Sequence, residues 1–592
     1  MKKYLAFGMA LLLLFSIAAC APTAAPEQTA AAETPAAEAT PSATPAVADG
    51  TYEGAATGFH GGLKAAVTVA GGAIEKVEIL SHTESAGVAD DILAAMPELI
   101  VKEQSYAVDT LSGATFTSNA VKAAVKDALM KAGAVEGQFD AAPVHEQKDE
   151  TIDADVVVIG AGIAGLSAAI EAKEAGANVI ILEKLARMGG SSVTAGGIVY
   201  ATNSPLNGSY DNDPADMAAY YQERANGVAD EALLQYAAEH SGETVQWLMD
   251  QGVQFNEDVV PTGLSAAKRG HFATQGGPGV IIPLKDKVKE LGIPVYFETP
   301  ASELIADASG AIVGVKAQSR DASYTINTKS VVMATGGFDA SQDMKALYTP
   351  NAVSAACMSS AGNTGDGIVM GEKVGAATLF TGGVIGFRAV NPALPMSRDA
   401  NGLIWMGTLG VTDEGVRFAD ETSDYPVYFT KMVETGRDDF YYIFDSAAAE
   451  LCELAVAQGM GFKAATIEEL ATAAGMDPAT LKATFDRYQE LAAAGKDEDF
   501  GKATIAPLAA EGPYYAVRFK KATIGSFGGL TINTSSEVLS KEGAAIPGFY
   551  AAGECANGQF FDQEYPASGT MLGLSTTYGR TAGANAAAYA AK

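Results

Sequence analysis

Short apolar runs alternate with glycine-rich turns through most of the chain beyond residue 150. Asp155–Ile159 and Val179–Leu182 are compact β-branched runs, typical of parallel strands that are buried on both faces. A glycine turn and a helical stretch separate them. Ser330–Thr335 and the run beginning at Gly548 are further buried-type strands that meet glycines, and Gly573–Ala590 is predicted to be a closing helix. The pattern predicts an α/β domain.

The pattern between residues 49 and 135 is different. Ala65–Val69 and Ile74–Leu80 alternate apolar and polar residues between glycine turns, which predicts a hairpin. One helix is predicted near Asp90–Glu103 and another from Asn119 to about Lys131. We therefore expect a small, separate α+β domain at 49–135, followed by a polar linker at 136–150.

The first 48 residues show neither pattern. Lys2 and Lys3 precede an apolar run, Leu5–Ala19, that is too short to span a bilayer comfortably and predicts a secretory signal. The run ends at Cys20 after small residues, and this resembles the bacterial lipoprotein signal, in which the cysteine becomes the lipidated first residue. Residues 1–20 are assigned to a signal peptide and the Ala- and Pro-rich residues 21–48 to a disordered linker. The resemblance implies a protein held by lipid on the outer face of a bacterial membrane.

A glycine fingerprint lies between the first two strands of the α/β domain. Gly160, Gly162 and Gly165 form G-x-G-x-x-G, in which the glycines allow a tight turn, close approach of a pyrophosphate, and close packing of helix on strand. The helix N-terminus that follows can bind phosphate oxygens. Glu183 ends the second strand, at the distance suited to a ribose hydroxyl. These residues predict a dinucleotide site and leave FAD and NAD both open.

The net charge and the spacing of the cysteines argue against several classes of function. The formal net charge is −32, with 71 Asp and Glu against 39 Lys and Arg, which argues against nucleic-acid binding. None of the four cysteines lies in C-x-x-C spacing, so no disulfide framework, metal site or haem attachment is predicted. Any redox chemistry must then come from organic cofactors.

The stretch Asp109–Ser118, which contains S-G-A-T, opens the second helix of the small domain. On the residues alone it can cap a helix or bind a phosphate. With the opening D-G-T-Y-x-G it resembles the FMN-binding domain family, in which a flavin transferase links FMN phosphate to the threonine of S-G-A-T. The resemblance implies covalent FMN on Thr115, with Thr117 as the fallback acceptor, and requires a transferase outside this chain.

The larger domain resembles the FAD-containing fumarate reductase and succinate dehydrogenase flavoprotein superfamily, particularly its soluble flavocytochrome-like branch. The resemblance rests on the fingerprint, the G-G-S-S…G-G loop, the A-T-G-G strand and A-A-G-E near the C-terminus. It implies a Rossmann-like FAD-binding domain at 151–378 and 524–592 with an inserted α+β cap domain at 379–523. The implied FAD-binding residues are Gly160, Gly162, Gly165, Glu183, Lys184, Gly190, Ser191, Gly197, Gly337 and Glu554.

The substrate side departs from the dicarboxylate-reducing members. These use an arginine just after an R-F-x-N-E stretch, together with histidines and a second arginine near the C-terminus. Here Arg417–Glu421 is followed by no such arginine, and none of the five histidines lies in the cap or C-terminal part. Arg388 and Arg398 could hold a carboxylate, although surface positions are expected for both. A fumarate or succinate clamp is poorly supported.

Two tyrosines indicate other chemistry. R-F-x-x-E-x-x-x-Y and Y-P-x-x-G resemble active-site segments of 3-ketosteroid dehydrogenases, a branch of the same superfamily. By that resemblance the Tyr565 hydroxyl and the Gly569 N–H would bind a substrate carbonyl, and Tyr425 would move a proton at the carbon next to it. A tyrosine is protonated at neutral pH and can act as an acid.

The combination of a lipid anchor, FMN and FAD resembles an extracellular terminal reductase. Electrons would pass from a membrane donor to FMN, then to FAD, then to a small-molecule substrate whose C=C bond is conjugated to a carbonyl. The alternatives are a urocanate- or fumarate-type carboxylate reductase, a flavin electron shuttle with no substrate of its own, and a dehydrogenase whose FMN accepts electrons.

Overall fold

The computed structural model describes residues 47–206, 208, 210, 213–390 and 400–592. Cys20, the rest of the predicted signal peptide, the predicted linker up to residue 46, and Arg398 lie outside the described residues. Within the described part, none of the helices is both long enough and apolar enough to cross a bilayer.

The small domain is a three-stranded antiparallel sheet covered on one face by two helices. Its strands are Gly50–Thr57, Gly62–Ala70 and Ala73–Ser81, in that order, and its helices are Asp90–Glu103 and Thr115–Lys131. Leu63, Ala65, Val67 and Val69 alternate along the central strand and are buried, as the period-two pattern predicts. The second helix begins at Thr115, earlier than the predicted Asn119.

The FAD-binding domain is built on an eight-stranded sheet whose centre is parallel. Its strands are Lys148–Ile159, Val179–Leu182, Val295–Tyr296, Ala301–Ala306, Ile312–Gln318, Ala322–Met333, Glu537–Leu539 and Ala545–Ala551. Lys148–Ile159 lies between Ala322–Met333 and Val179–Leu182 and pairs with both in parallel. Its first residues are exposed and polar, so the apolar pattern predicted only the buried end of this strand.

Helices cover the sheet and position the cavity described below. They are Ile163–Glu174, Pro214–Arg224, Glu231–Asp250, Gly276–Glu290, Gln342–Tyr348, Asp366–Lys373 and Thr570–Ala590. The last packs closely on Ile163–Glu174, because a Cβ at Gly583 would lie 2.1 Å from the Ala168 carbonyl oxygen. A small sheet of Ile198–Tyr200, Val260–Pro261 and Lys268–Phe272 extends this domain towards the cap.

The cap has a six-stranded sheet and hydrophobic clusters of its own. Its strands are Ala356–Cys357, Thr378–Ala389, Leu409–Thr412, Asp439–Phe444, Gly461–Ala464 and Tyr514–Leu530, and its helices are Tyr425–Glu434, Ala449–Ala457, Ile467–Ala474 and Pro478–Ala494. The two positions at which sequence analysis places the cap boundaries, Leu379 and Thr523, fall inside Thr378–Ala389 and Tyr514–Leu530. These two strands pair with each other and continue into the FAD-binding domain.

Candidate active site

The three glycines of the fingerprint have separate geometric roles. Gly160 has φ +105°, and a Cβ there would lie 2.3 Å from the Ala334 carbonyl oxygen. A Cβ at Gly162 would meet no atom within 4 Å, so this position faces open space. A Cβ at Gly165 would lie 1.9 Å from the Gly160 carbonyl oxygen, which keeps the helix close to the strand. The turn therefore forms a cradle of the kind that holds a pyrophosphate.

The acidic end of the second strand is bound to this turn. Glu183 is buried and accepts hydrogen bonds from the N–H groups of Ala161 and Leu185, each at 2.8 Å. Desolvation by burial raises the pKa of this carboxyl, against the lowering effect of the two backbone donors. Lys184 follows and forms an ion pair with Asp366 at 2.7 Å. The region combines hydrogen-bonding and charged groups at the place where a ribose would lie.

A cavity of about 730 Å³ begins at this cradle and extends beneath the cap. Of the residues predicted to bind FAD, it is lined by Gly160, Gly162, Glu183, Lys184, Gly190, Ser191 and Glu554. Its volume lies in the range of cofactor and ligand sites, and its phosphate cradle and polar ribose end fit FAD.

Gly165, Gly197 and Gly337 lie behind the cavity wall. A Cβ at Gly197 would lie 2.2 Å from the Gly276 carbonyl carbon, and one at Gly337 would lie 2.2 Å from Glu554 Oε1. Their neighbours Gly196 and Gly336 line the cavity instead. These glycines shape the site by allowing close packing.

Glu554 belongs to a buried acidic network that sequence analysis missed. Its Oε1 accepts from the Ser526 N–H at 2.7 Å, and its Oε2 accepts from the Asn363 amide at 3.3 Å. The same amide donates to Asp339 at 3.4 Å. Burial, reinforced by the charge of Asp339, raises the pKa of Glu554 to about 8. Asp339 lies two residues after the predicted A-T-G-G strand. This position at the end of a buried strand is the one sequence signal that could have indicated it.

Tyr425 and Tyr565 both line the cavity, and their ring centroids lie 6.4 Å apart. Tyr425 is the first residue of the cap helix Tyr425–Glu434, whereas Tyr565 belongs to the FAD-binding domain. The Tyr565 hydroxyl accepts a hydrogen bond from the Met571 N–H at 2.6 Å. Burial raises the pKa of both phenols, so both stay protonated at neutral pH.

Gly569 also lines the cavity, at the N-terminus of the helix Thr570–Ala590. Its φ is +97°, and a Cβ would lie 2.8 Å from the Ile198 side chain, so this position requires glycine. The first N–H groups of a helix have no partner within the helix and favour an electron-rich oxygen.

Asp424, which sequence analysis also missed, connects the cap to the FAD-binding domain beside these tyrosines. Its Oδ1 accepts from the Ser568 hydroxyl at 2.7 Å, and its Oδ2 accepts from the Gly263 N–H at 2.8 Å. The Tyr425 N–H donates to Asp424 at 2.9 Å. An aspartate at the start of D-Y-P is an N-cap signal, which could have indicated its position.

The arginines of the cap have structural partners. Arg417 forms ion pairs with Glu421 and Asp497, each at 2.8 Å. The surface position expected for Arg388 is wrong: Arg388 is 3 % exposed, and its guanidinium lies 4.1 Å from the Tyr428 ring centre. Its burial is compensated in two ways. The Tyr428 ring stabilises the positive charge by a cation–π contact, and the Ile404 carbonyl accepts a hydrogen bond from the guanidinium. Neither Arg417 nor Arg388 lines the cavity.

Thr115 lies outside this cavity, in the small domain, and is exposed. It is the first residue of its helix, and no side chain caps that helix at Ala114, so capping is not its role. Thr117 is buried, and its hydroxyl donates to Glu84. Phe116, beside Thr115, is 65 % exposed and lies 5.7 Å from the Phe59 ring.

A dinucleotide cradle that opens into a capped, tyrosine-lined cavity fits a flavin-dependent oxidoreductase. The FAD binding domain family matches residues 155–572, and the FMN-binding domain family matches residues 58–130. The chain belongs to the FAD binding domain family and also carries an FMN-binding domain. The resemblances to the FMN-binding domain family and to the FAD-containing flavoprotein superfamily are thereby confirmed, and so is the predicted α/β fold.

Known proteins with similar sequences and structures narrow the class. Urocanate reductase of Eggerthella lenta is 30 % identical and aligns over 97 % of this chain and 96 % of its own. The open conformation of a flavocytochrome c3 fumarate reductase is 27 % identical, with a TM-score of 0.63 over 74 % of this chain and 79 % of its own. The 3-ketosteroid-Δ4-(5α)-dehydrogenase of Rhodococcus jostii RHA1 is 26 % identical, with a TM-score of 0.61 over 75 % and 100 %. The chain is an FAD-dependent oxidoreductase of the class that acts on CH–CH groups.

Proposed function

We propose that this protein reduces a C=C bond conjugated to a carbonyl, in an enone or enoate. The observation that carries the proposal is the pairing of two protonated tyrosines, one from the cap and one from the FAD-binding domain, on the wall of a single cavity. When bound, FAD supplies the hydride for the β-carbon of the substrate. The chain itself must polarise the carbonyl and deliver one proton.

The Tyr565 O–H and the Gly569 N–H are the donors to the substrate carbonyl oxygen. The Met571 N–H already donates to the Tyr565 oxygen, which leaves the phenol proton free to be donated. Hydrogen bonds to an oxygen that gains charge stabilise the transition state by about 3 kcal/mol each. Tyr425 then transfers its proton to the α-carbon, so that the substrate gains one hydride and one proton.

The test is a substrate panel combined with Tyr425→Phe. Purified protein loaded with both flavins is assayed with reduced viologen on fumarate, urocanate, cinnamate and steroid enones. The variant should lose at least about 100-fold in turnover, within the range of general acid catalysis, while its FAD content is unchanged. Tyr441→Phe, in the cap but not on the cavity wall, is the matched control. Unchanged turnover in Tyr425→Phe would contradict the assignment.

A urocanate-type carboxylate reductase is the second candidate, favoured by the 30 % identity to urocanate reductase over almost the whole chain. The same panel separates it from reduction of an uncharged enone, because it should act on urocanate or fumarate and not on the steroid enones. An electron shuttle is disfavoured by the size of the cavity beneath the cap.

We infer that FMN is esterified to Thr115 by an external flavin transferase. The exposure of Thr115, compared with the buried and hydrogen-bonded Thr117, supports Thr115 as the acceptor. Protein expressed with the transferase should carry one covalent flavin, seen as a mass increase after denaturation. Thr115→Ala should carry none and retain FAD, whereas Thr110→Ala, in the same segment, should be flavinylated normally. A covalent flavin on Thr115→Ala would contradict the inference.

The location and the electron donor complete the proposal. The lipoprotein-like sequence ending at Cys20 supports a lipid anchor on the outer face of the cell membrane. A membrane donor would then reduce FMN, FMN would reduce FAD, and substrate would be reduced outside the cytoplasm. The two flavin-binding domains in one chain support this order of transfer.

A further inference from the structure

The loop that carries S-G-A-T is docked on the FAD-binding domain. The Ala186 N–H donates to the Ser112 carbonyl at 3.0 Å, and the Ser112 N–H donates to Glu298 Oε1 at 3.1 Å. Glu298 has φ +48°, a conformation uncommon for a residue other than glycine. Arg320 pairs with Asp109, the first residue of the motif, at 2.8 Å. Both ends of the motif loop are therefore held by the larger domain.

Arg187 connects this loop to the wall of the FAD cavity. It is 6 % exposed; its Nε donates to the Gly113 carbonyl at 3.0 Å, and its Nη1 donates to the Gly190 carbonyl at 3.4 Å. Gly190 lines the cavity. A Cβ at Gly113 would lie 3.1 Å from Arg187 Nε, so glycine at this position lets the guanidinium approach.

A buried ion pair fixes the segment next to Arg187. Asp91 of the small domain accepts from the Met188 N–H at 3.0 Å and pairs with Lys285 of the FAD-binding domain at 2.8 Å. The Asp91 and Lys285 side chains are 7 % and 3 % exposed. Breaking a buried ion pair is costly, so the small domain is held in one orientation at this contact.

We propose that Arg187 is a positioning residue for electron transfer between the two flavins. By binding the loop before Thr115 and the wall of the FAD cavity at once, it sets the separation of FMN from FAD. Two electrons leave reduced FMN, which is oxidised, and enter FAD, which is reduced, while the accompanying protons exchange with water. The proposal rests on the attachment of FMN to Thr115, and it does not depend on which substrate is reduced.

The test uses Arg187→Met in protein loaded with both flavins. A limiting amount of reduced viologen is mixed in anaerobically, and the redistribution of electrons between the flavins is followed by absorbance. Thr115→Ala, which lacks FMN, provides the spectrum of FAD alone and the rate of its direct reduction by viologen. Transfer from FMN to FAD should slow at least ten-fold while both flavin contents are unchanged. Arg487→Met, which removes an exposed cap arginine paired with Glu490 and Asp499, is the matched control.

A second readout needs no flavin. Amide hydrogen exchange of flavin-free Arg187→Met should rise at Ser112 and Ala186, which form the docking hydrogen bonds, and not in the sheet of the small domain. Glu298→Ala removes the acceptor of the Ser112 N–H, and it should likewise raise amide exchange at Ser112 and slow electron transfer. This variant replaces Arg187→Met in the test if Arg187→Met does not fold. Wild-type exchange and wild-type transfer rates in the folded variants would overturn the proposal. Because no substrate is present, failure of the proposed enone reduction would leave this result unaffected.

Discussion

At the scale of single residues, the site combines a glutamate of raised pKa with two phenols that stay protonated. Glu554 lines the cavity and accepts hydrogen bonds from Ser526 and Asn363, yet its pKa is raised to about 8 because desolvation and the nearby charge of Asp339 both disfavour its ionised form. Two carboxyl groups that share the Asn363 amide cannot both ionise at low cost. The part of the cavity near Glu554 therefore carries less negative charge at neutral pH than its number of acidic residues implies.

Glu554 should make stability depend on pH. Its ordinary pKa is 4.5 and its folded-state pKa is about 8, so between these values the folded protein keeps a proton that the unfolded chain has lost. Stability must then fall as pH rises through this window, by at most about 1.4 kcal/mol per pH unit. In Glu554→Gln, whose side chain is neutral at all pH values, denaturant unfolding of FAD-free protein should show a smaller fall between about pH 5 and pH 8.

Glu468→Gln, an exposed substitution in the cap, is the control for the loss of one acid and should follow the wild-type pH dependence. Parallel pH profiles for the wild type and Glu554→Gln would show that the carboxyl is already ionised in the folded protein.

Sequence motifs indicated many residues of the cavity wall, but not the polar network around them. Tyr425 and Tyr565 were identified from motifs about 140 positions apart, and the fold brings them to one cavity wall. Asp339, Asn363 and Asp424 were missed. Their significance depends on which main-chain donors and carboxylates surround them, and those partners come from distant segments that no local pattern connects.

At the scale of elements, the apolar pattern predicted buried strands and long helices, but not where they end. The strand Lys148–Ile159 is longer than its apolar part because its polar half also pairs with Ala322–Met333 along the main chain. The short strands of the cap were not predicted, because they are defined by pairing with Tyr514–Leu530 from far along the chain. Pairing between distant strands leaves little trace in a local sequence window.

The crossing of Thr570–Ala590 on Ile163–Glu174 provides a test at this scale. Helix propensity alone would make Gly583→Ala stabilising by about 1 kcal/mol. A Cβ at this position would lie 2.1 Å from the Ala168 carbonyl oxygen, so the helices would have to separate. Gly583→Ala should therefore lower the free energy of unfolding by about 1–3 kcal/mol in chemical denaturation.

Ala588→Leu, which adds bulk on the exposed face of the same helix, should change stability by less than about 0.5 kcal/mol. A stabilising effect of Gly583→Ala would mean that the helices have room to spare at this crossing.

At the scale of the whole molecule, two sets of contacts join the FAD-binding domain to its neighbours, the small domain and the cap. The small domain is docked on the FAD-binding domain through Arg187 and Glu298, which bind the S-G-A-T loop, and through Asp91 of its first helix. The cap is bound to the same domain through Asp424. Domain order could be predicted from family resemblance, whereas these contacts could not, because each joins single residues that lie far apart in the chain.

The cap contact at Asp424 should control how well the two tyrosines are aligned. Asp424→Ala leaves the Gly263 N–H, the Ser568 N–H and the Ser568 hydroxyl without their acceptor, at about 1–3 kcal/mol for each buried donor that water does not reach. It also removes the N-cap of the helix that begins at Tyr425, at about 1 kcal/mol.

The Tyr425 ring should then move relative to Tyr565, and kcat/KM should fall about 10- to 100-fold while FAD stays bound. Ser568→Ala, which removes one donor and keeps the cap residue, should show a smaller loss in the same steady-state assay. Equal activity of Asp424→Ala and wild type would mean that the cap is held in place by other contacts, and that tyrosine alignment does not depend on this carboxylate.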